Sequence, residues 1–456
     1  MSDIIDEGVI WRILGGADNP GDRPVASVIR QAEKKKGLCP QEAAVLLSCR
    51  SKRLWRRIYG LAHNIKKDIY GDRLVLFAPL YLSNACRNNC LYCGFRRDNR
   101  GFPRKTLTMP EVAEEVKLLE GRGHKRLLLV CGEGVPLGYI KKAISLIYKT
   151  GSAGAKIRRV NVNIAPLSRE GFRQLKRRGI GTYQLFQETY HLPTYKKMHP
   201  CGPKADYHRR LRAIDKAIEA GIDDVGLGVL FGLYDWRFET LALLLHIGHL
   251  ERRFGIGPHT ISVPRLEPAP GSFVSQRPPY PVGDEQLKMI VAVLRLAVPY
   301  TGIILSTRER ASLRNELFSL GVSQISVGSS TRPGGYSRKG ELSQFELGDK
   351  RSLSQVIAVM LKQGLLPSFC TACYRLGRTG RVFMSLAQQA NIHNFCLPNC
   401  LLTFYEYVLD YAGDRERRVA ERAIFRRLRF ISDDLLREET ESKLRRLRCG
   451  ERDLCF

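Results

Sequence analysis

The stretch Leu82–Gly94 reads LSNACRNNCLYCG and places Cys86, Cys90 and Cys93 in a C-x3-C-x2-C spacing directly after an apolar run. Three thiolates this close together can wrap one metal centre, but they leave it one ligand short. A structural zinc site needs a fourth ligand, and a closed 4Fe–4S cluster is held by four cysteines. With three cysteines, one iron of such a cluster stays open to a ligand that is not protein. The alternatives are three ordinary thiols or a zinc site completed from elsewhere in the chain.

The same spacing, with the aromatic Tyr92 before its last cysteine, resembles the signature of the radical S-adenosylmethionine (SAM) superfamily. In that superfamily the amino and carboxylate groups of SAM chelate the open iron, and reductive cleavage of SAM releases a 5′-deoxyadenosyl radical. The resemblance therefore implies a 4Fe–4S cluster on Cys86, Cys90 and Cys93, with SAM bound to it and Tyr92 beside it. It does not identify the substrate.

The length of 456 residues allows one large barrel with appendages or two to three ordinary domains, and 44% hydrophobic residues support a sizeable core. No window approaches about 18 consecutive apolar residues, so no transmembrane helix is predicted. The N-terminus lacks a cationic and apolar leader, so no signal peptide is predicted either. Thirteen cysteines without export signals indicate metal thiolates in a reducing compartment and predict a cytoplasmic protein.

The net charge of +29 raises the question of nucleic-acid binding. Residues 414–456, however, contain 13 Lys or Arg against 10 Asp or Glu, which is typical of a mixed-charge helical surface. We therefore do not expect a nucleic-acid partner. A local basic excess surrounds the cysteine motif, where Asp98 is the single acidic residue among Arg87, Arg96, Arg97, Arg100, Arg104 and Lys105. This face either binds an acidic reductase or an anionic cofactor, or it is a solvated surface.

From residue 74 onward, short apolar runs alternate with helix-like segments. The runs are Leu74–Ser83, Arg126–Glu133, Arg159–Ala165, Gly181–Glu188, Asp223–Gly232, His259–Leu266, Gly302–Thr307 and Gln324–Gly328. The helix-like segments are Pro110–Gly121, Tyr139–Lys149, Ser168–Arg178, Asp206–Ala220, Trp236–Phe254, Glu285–Ala297, Ala311–Leu320 and Leu353–Lys362. Eight such units predict a (β/α)8 barrel, of the TIM type, with strands buried on both faces. An open doubly wound sheet is the alternative.

The remaining segments complete an α/β protein of three predicted domains. Residues 1–70 show helical periodicity and are predicted to form an N-terminal helical cap. Residues 71–365 form the predicted radical SAM (β/α)8 barrel. Residues 366–456 form a mostly helical C-terminal domain with a second cysteine group and a basic helical extension.

The tripeptide after the second predicted strand resembles a superfamily motif. Catalytic groups of such barrels come from the C-terminal ends of strands. Cys131, Gly132 and Glu133 occupy this position and resemble the Gly-Gly-Glu motif that meets the SAM amino group, with Cys131 in place of the first glycine. The resemblance implies that Gly132 and Glu133 bind SAM.

Other strands end in polar residues that would meet at the same mouth. Asn163 lies in the third strand, and Glu188 ends the fourth, where relatives place a polar contact to SAM. Arg265 and Glu267 end the sixth strand. Arg308 follows the seventh and is a candidate catalytic residue, because a guanidinium can grip a substrate carboxylate with two hydrogen bonds.

A second cysteine group follows the predicted barrel. Cys370, Cys373 and Cys396 have the spacing C-x2-C-x22-C, and Cys400 lies four residues further on. The group fits a structural zinc site, with Cys400 or His393 as the fourth ligand. It also fits a second iron–sulfur cluster.

The sequences around this group, SFCTACYRLGRTG and NFCLPNCLLTFYEY, closely resemble the C-terminal region of the HydG family of FeFe-hydrogenase maturases. GPHTISVPRLEPAPGS at 257–272, QETYH at Gln187–His191 and LSTRE at Leu305–Glu309 fit the same family. The resemblance covers residues 70–413. The sister family, 2-iminoacetate synthase of thiamine biosynthesis, shares the barrel part but lacks the C-terminal cysteine signature.

This resemblance implies a two-site tyrosine lyase. At the first cluster, L-tyrosine loses a hydrogen atom and is cleaved at Cα–Cβ into p-cresol and dehydroglycine. At an auxiliary iron–sulfur cluster, dehydroglycine yields CO and cyanide on iron, and a cysteine-ligated iron synthon for the hydrogenase H-cluster results. Cys370, Cys373 and Cys396 match the auxiliary ligands, and His259 matches the ligand of an additional iron beside that cluster. The implied partners are a scaffold GTPase, a partner maturase, and ferredoxin or flavodoxin as electron donor, with no membrane.

The position of His259 at the start of the sixth predicted strand places it at the N-terminal mouth of the barrel, opposite the first cluster. Six residues of strand separate the mouths by roughly 20 Å, so transfer of a small intermediate requires an internal channel. Cys400 departs from the family pattern and is either a fourth ligand or a thiol buried in a helix behind Pro398. Cys449 and Cys455 lie in the basic C-terminal extension, for which the sequence motifs offer no match.

The sequence is also compatible with three alternatives to the lyase. A 2-iminoacetate synthase would stop at dehydroglycine and need no second cluster. An RNA-modifying radical SAM enzyme would bind its substrate with a steep dependence on salt. A non-enzymatic iron–sulfur scaffold would load clusters without cleaving SAM.

Overall fold

A computed structural model of the protein describes residues 4–151, 156–338, 340, 342–388 and 393–456. The strands are β1 (Arg73–Ser83), β2 (Arg126–Cys131), β3 (Arg159–Asn163), β4 (Tyr183–Glu188), β5 (Val225–Val229), β6 (Thr260–Ser262), β7 (Gly302–Leu305), β8 (Gln324–Ser326) and β9 (Leu366–Ser368). The helices before and between β1 and β5 are α1 (Glu7–Gly16), α2 (Asp22–Ala32), α3 (Pro40–Leu47), α4 (Lys52–Tyr70), α5 (Met109–Gly121), α6 (Leu137–Lys149), α7 (Arg169–Lys176), α8 (Leu192–Met198), α9 (Tyr207–Leu211) and α10 (Ala213–Glu219). The later helices are α11 (Trp236–Phe254), α12 (Phe273–Gln276), α13 (Asp284–Ala297), α14 (Ala311–Leu320), α15 (Leu353–Lys362), α16 (Ala372–Arg375), α17 (Gly380–Gln388), α18 (His393–Tyr411), α19 (Asp414–Leu428) and α20 (Asp434–Arg448).

Strands β1 to β8 form a closed parallel barrel. Each strand pairs with the next along the chain, and β1 closes the barrel by pairing with both β2 and β8. The strands lie almost wholly buried between the barrel interior and the surrounding helices. The predicted (β/α)8 barrel is therefore confirmed.

Strand β9 was not predicted. It pairs in parallel with the first residues of β1, from Arg73 opposite Leu366 to Val75 opposite Ser368. Because β1 is 11 residues long, its beginning extends past the barrel and offers a free edge to β9. This pairing brings the chain that follows β9, with its second cysteine group, to the N-terminal mouth of the barrel.

Capping residues and hydrophobic periodicity predicted most boundaries of the barrel strands and helices, and the structure differs from the prediction at two elements. The capping boxes of Thr108 with Glu111 and Ser352 with Gln355 both form. The predicted sixth strand is shortened to β6, because Pro264 has no N–H for the ladder and the chain leaves the sheet there. At the other end, His259 directly precedes β6, and the predicted helix Asp206–Ala220 is divided into α9 and α10.

Helices at both ends of the chain pack on the barrel. Helix α4 packs against α13 and α14, and α1 and α3 pack against α11. Helix α18 packs against β9, α19 and α20 and buries an apolar face that includes Leu401, Leu402 and Phe404. Among the described helices, none combines the length and the apolar character of a membrane span. The domain limits at residues 70 and 365 stay a prediction.

Candidate active site

A cavity opens at the C-terminal mouth of the barrel, and we name it the upper cavity. It brings together most of the residues that the sequence predicted at this end. Those residues are Cys86, Cys90, Tyr92, Cys93, Gly132, Glu133, Asn163, Glu188 and Arg308. Arg265 and Glu267 do not line this cavity; Arg265 instead pairs with Glu309 and Asp284.

The cysteine loop is held in place by backbone contacts. Leu91 N–H donates to the Met198 carbonyl over 3.0 Å, and the Ser272 hydroxyl donates to the Leu91 carbonyl over 2.8 Å. On the other side, Gly132 N–H donates to the Ser83 carbonyl over 2.9 Å. A Cβ at Gly132 would overlap the Ala85 carbonyl oxygen, so only glycine fits where the end of β2 passes the loop.

The donor set of the upper cavity fits the cluster that the superfamily implies. Burial raises the pKa values of the Cys90 and Cys93 thiols, and the side-chain amide of Gln344 lies 3.6 Å from Cys93 Sγ. The three cysteines line the cavity together with residues of β3, β4 and β7, which leaves room for a non-protein ligand. Within the described part of the chain, no three His, Cys, Asp or Glu side chains converge as ligands of a single metal ion would.

Three buried charged residues and the half-buried Glu133 form a network beside the cysteines. Arg210 Nη1 lies 2.8 Å from Glu133 Oε1, and Lys204 Nζ lies 2.6 Å from Glu188 Oε1. Arg210 Nη2 lies 3.5 Å from the same Glu188 oxygen. Burial by itself raises the pKa of Glu133, but attraction to Arg210 and Lys204 outweighs it and lowers the pKa. Glu133 is therefore ionised near neutral pH.

Sequence reasoning missed Lys204 and Arg210. Lys204 lies in a short 3-10 turn, Pro203–Ala205, and Arg210 lies in α9, so neither ends a strand. Basic residues in such positions usually face solvent, and nothing in their spacing indicates that the chain turns them into the barrel mouth.

The backbone of Glu188 is unusual. Its φ of 74° lies in the left-handed region, which non-glycine residues rarely adopt. The pairing of β4 with β5 shifts its register at this point, between Phe186 and Glu188. This irregularity directs the Glu188 side chain to Lys204 in the upper cavity, and strained backbone of this kind clusters at functional sites.

Two further predicted residues have distinctive surroundings. The Tyr92 hydroxyl lies 2.8 Å from His199 Nε2, so the ring is fixed at the edge of the cavity. The Arg308 guanidinium lies 3.3 Å from the centre of the Phe345 ring. Within the described residues Arg308 forms no salt bridge, and burial lowers its pKa. A half-buried guanidinium without a carboxylate partner is suited to an anionic ligand, because charges removed from water are normally paired.

A second cavity, the lower cavity, lies at the N-terminal mouth of the barrel. Its lining includes Cys370, Cys373, Cys396 and His259, the four residues predicted for the auxiliary site. Burial raises the pKa of the Cys370 thiol and raises that of Cys396 to about 12. The three thiols and one imidazole are a donor set that fits a cluster with an additional iron.

Cys400 lies outside the lower cavity. Its thiol is buried in α18 and donates to the Pro367 carbonyl over 3.4 Å. This placement agrees with the prediction of a thiol buried in a helix. The side chain of His393, the other alternative ligand, lies outside the described residues.

The lower cavity has a basic wall that the sequence did not indicate. Arg73, Arg126 and Arg159 line it, and Arg126 Nη2 donates to the Cys370 carbonyl over 2.6 Å. Burial, together with these arginines, lowers the pKa of His259 to about 4, so its imidazole is neutral near pH 7. A neutral imidazole is the form that binds metals.

The two cavities approach each other inside the barrel. On β8, Ser326 lines the upper cavity and Gln324 lines the lower cavity. Two residues of parallel strand correspond to about 7 Å. The layer between the cavities is therefore much thinner than the distance between the two mouths.

Comparison with known proteins places the chain in a family. The model of the radical SAM superfamily matches residues 80–245, and that of the Biotin and Thiamin Synthesis associated domain matches residues 262–366. The chain is 32% identical to 2-iminoacetate synthase of Escherichia coli (strain K12) over 361 residues, which are 78% of this chain and 93% of that protein.

Two solved structures match the chain more completely. A crystal structure of HydG, described as a maturase of the [FeFe]-hydrogenase, is 51% identical, with a TM-score of 0.97 and 100% of each chain covered. The FeFe-hydrogenase maturase HydG from Carboxydothermus hydrogenoformans is 41% identical, with a TM-score of 0.85, over 96% of this chain and 97% of that one. The resemblance to HydG that the sequence motifs indicated is therefore confirmed, and the chain belongs to the HydG family of radical SAM enzymes.

Proposed function

We propose that the protein is a radical SAM tyrosine lyase of [FeFe]-hydrogenase maturation. It cleaves L-tyrosine to p-cresol and dehydroglycine at the upper cavity, and dehydroglycine yields CO and cyanide at the lower cavity. The product is an iron synthon for the H-cluster. One observation supports the two-site proposal above all: two cysteine triads line separate cavities at opposite mouths of one barrel.

In the upper cavity, Cys86, Cys90 and Cys93 would hold a 4Fe–4S cluster. Together with SAM it would supply, when bound, the radical that removes a hydrogen atom from tyrosine. Glu133 is ionised and would accept hydrogen bonds from the SAM amino group. Lys204 lines the same cavity, and its ammonium would offset the charge of the SAM carboxylate. Burial and Arg210 lower the pKa of Lys204, but attraction to Glu188 and other anionic groups outweighs them and raises it, so the side chain stays charged.

The substrate would be oriented by Arg308. Its guanidinium is stacked on the Phe345 ring, and this stacking leaves its N–H edge available. A planar guanidinium matches a carboxylate through two parallel hydrogen bonds. We propose that Arg308 grips the carboxylate of L-tyrosine and so fixes the position of Cα relative to the cluster.

In the lower cavity, Cys370, Cys373 and Cys396 would hold the auxiliary cluster. The neutral imidazole of His259 would ligate an additional iron, with a cysteine molecule as a further ligand of that iron. The guanidinium groups of the basic wall offset the negative charge that thiolates bring into a buried site.

The proposed partners are a scaffold GTPase, a partner maturase and an electron donor such as ferredoxin or flavodoxin, all in the cytoplasm.

The basic face around the cysteine motif is smaller than its sequence indicated. Arg104 donates to backbone carbonyls of the loop, Lys105 pairs with Glu111, and Arg97 pairs with Asp98. The exposed Arg87 and Arg100 remain for contact with an acidic reductase.

An anaerobic assay tests the proposal. Reconstituted protein is given SAM, reductant and L-tyrosine, and p-cresol is quantified together with CO trapped by deoxyhaemoglobin. Wild-type protein should form both products, Cys93→Ala neither, and Cys370→Ala only p-cresol. Cys449→Ala, which changes an exposed thiol, is the matched control.

The alternatives give different results. Wild-type protein that forms p-cresol without CO would behave as a 2-iminoacetate synthase. p-Cresol from Cys93→Ala would refute the radical mechanism. Equal loss of both products in Cys370→Ala would favour a merely structural second site. Cluster-loaded protein that forms neither product would reopen the question of the substrate, RNA included.

A further inference from the structure

Asp224 is a buried carboxylate that the proposed chemistry has not used. It directly precedes β5 and is 2% exposed. Its Oδ2 lies 3.5 Å from His259 Nδ1 and 3.5 Å from Arg159 Nη2. The Tyr374 hydroxyl also faces this carboxylate, and within the described residues neither Asp224 oxygen makes a well-aligned hydrogen bond. Burying a carboxylate costs free energy unless the group is paired with a positive charge or hydrogen-bonded.

The backbone fixes His259 relative to this carboxylate. His259 N–H donates to the Val225 carbonyl over 2.9 Å, and the His259 carbonyl accepts from Gly302 N–H over 2.9 Å. The residue is therefore tied to the barrel on both sides. The imidazole also packs on the Phe383 ring, with 4.1 Å between ring centres. Since Asp224 is the neighbour of Val225, the sheet itself sets the distance between carboxylate and imidazole.

A neutral imidazole carries one N–H and one lone pair, and the group that binds the N–H decides which nitrogen is free for a metal. A carboxylate facing Nδ1 favours the tautomer with hydrogen on Nδ1. Nε2 then presents its lone pair. The distance of 3.5 Å exceeds the usual hydrogen-bond range of about 2.7–3.2 Å by a few tenths of an ångström, which a small rotation of the ring removes.

We propose that Asp224 is a positioning residue for His259. It accepts the Nδ1–H hydrogen bond and thereby directs Nε2 to the additional iron at the lower cavity. This inference rests on the proposed role of His259 as the ligand of that iron. Metal-ligating histidines commonly donate their second N–H to a carboxylate, and loss of such a partner typically weakens metal binding by about 10–100-fold.

The neighbourhood favours a variant that still folds. Arg159 keeps other partners when Asp224 loses its charge: its Nε donates to Asn161 over 2.8 Å, its Nη2 donates to Thr182 over 2.7 Å, and its guanidinium stacks on Tyr374 at 3.1 Å. Asp224→Asn preserves the size of the side chain and removes the negative charge. It therefore tests orientation of the imidazole more than packing.

The experiment uses the full chain with both clusters reconstituted anaerobically. The desalted protein is titrated with Fe(II) in the presence of L-cysteine. The readouts are the iron bound per chain beyond the clusters and the electron paramagnetic resonance signal of that iron. Asp224→Asn should bind the additional iron about 10–100-fold more weakly than wild type, with unchanged cluster iron. His259→Ala should not bind it.

The matched control is a carboxylate–imidazole pair elsewhere in the fold. Asp215 Oδ2 lies 2.9 Å from His249 Nε2, and neither residue lines the lower cavity. Asp215→Asn should bind the additional iron as wild type does. Weakening in this control as well would overturn the proposal, because the loss in Asp224→Asn would then be a general effect of removing a buried carboxylate.

The remaining outcomes distinguish the proposed role of Asp224 from the proposed role of His259. Wild-type affinity in Asp224→Asn, with loss in His259→Ala, would overturn the role of Asp224 alone. Wild-type affinity in His259→Ala would overturn the proposed role of His259 itself. If Asp224→Asn does not accept clusters, the tautomer of His259 is measured by 15N NMR of the metal-free wild-type protein. The His259 signals are assigned by comparison with His259→Gln. The Nδ1–H tautomer of His259 supports the proposal, and the Nε2–H tautomer overturns it.

Discussion

A methyl group at Gly132 would overlap the carbonyl oxygen of Ala85, one residue before the first motif cysteine. Gly132→Ala should therefore displace the cysteine loop, and the protein should load the auxiliary cluster but not the SAM-binding cluster. Iron content and electron paramagnetic resonance of reconstituted protein measure the two clusters. Gly138→Ala is the control, because nothing lies within 4 Å of its added Cβ. Normal loading of Gly132→Ala would contradict the steric argument.

Lys66 is a buried amine in α4. Burial lowers its pKa to about 7, although the nearby Asp72 partly opposes this. The unfolded chain, with a pKa of about 10.4, binds more protons than the folded protein between these values, so the stability contributed here rises with pH across that window. Below the folded pKa the full penalty applies.

The pH dependence of this penalty predicts the effect of replacing Lys66. Lys66→Met should raise the urea midpoint at about pH 6, and the gain should shrink by about pH 9 at a rate up to about 1.36 kcal/mol per pH unit. Denaturation of metal-free wild type and variant at both pH values measures the effect. Lys52→Met, at an exposed position of the same helix, should show no such pH dependence. A gain independent of pH would mean that packing, not charge, is the cause.

At the scale of the element, α18 carries two cysteines with different surroundings. Cys396 lines the lower cavity, whereas Cys400 lies on the buried face and donates to the Pro367 carbonyl in β9. Cys400→Ala should therefore retain the auxiliary cluster and lose about 1 kcal/mol of stability. Cys396→Ala should lose that cluster. The visible absorption and iron content of each variant measure cluster loading, and loss of the cluster in Cys400→Ala would identify Cys400 as a fourth ligand.

At the scale of the whole molecule, the barrel interior lies between the two cavities in which the proposed reactions occur. Barrel interiors usually pack branched apolar residues, but here buried Asn161, Gln184 and Gln324 contribute to the layers between the mouths. Thr260 belongs to the same region, and the hypothetical Cβ of Gly226 would lie 2.6 Å from its hydroxyl. Gly226 therefore preserves space inside the barrel beside Thr260.

A larger side chain at Thr260 should obstruct transfer between the cavities. We expect Thr260→Met to keep p-cresol formation and to lower CO formation several-fold, because dehydroglycine must pass this layer to reach the lower cavity. The assay measures both products in one sample, and Thr260→Ser is the control of similar size. Unchanged CO formation in Thr260→Met would exclude a route along this part of the barrel.

The candidate sites were partly predictable, for different physical reasons. The spacing of Cys86, Cys90 and Cys93 by itself predicts a cluster site, because all three ligands lie in one loop. The sequence does not predict that Lys204 and Asp224 belong to the sites, because a charged residue in a turn or before a strand usually faces water. Only the packing of the 3-10 turn Pro203–Ala205 and of the start of β5 against the barrel mouths turns these residues inward. Strand β9 was missed because three residues around a proline carry no recognisable strand pattern.

The sequence by itself determined the alternation of strands and helices, most of their boundaries, the two cysteine groups and the family. These properties depend on hydrophobic period, capping residues and thiol spacing, which act over a few neighbouring residues. The tertiary structure decided which residues meet: the charged network of Glu133, Glu188, Lys204 and Arg210, and the placement of Asp224 beside His259. It did so because barrel closure joins strand ends far apart in the chain, and no local pattern records that closure.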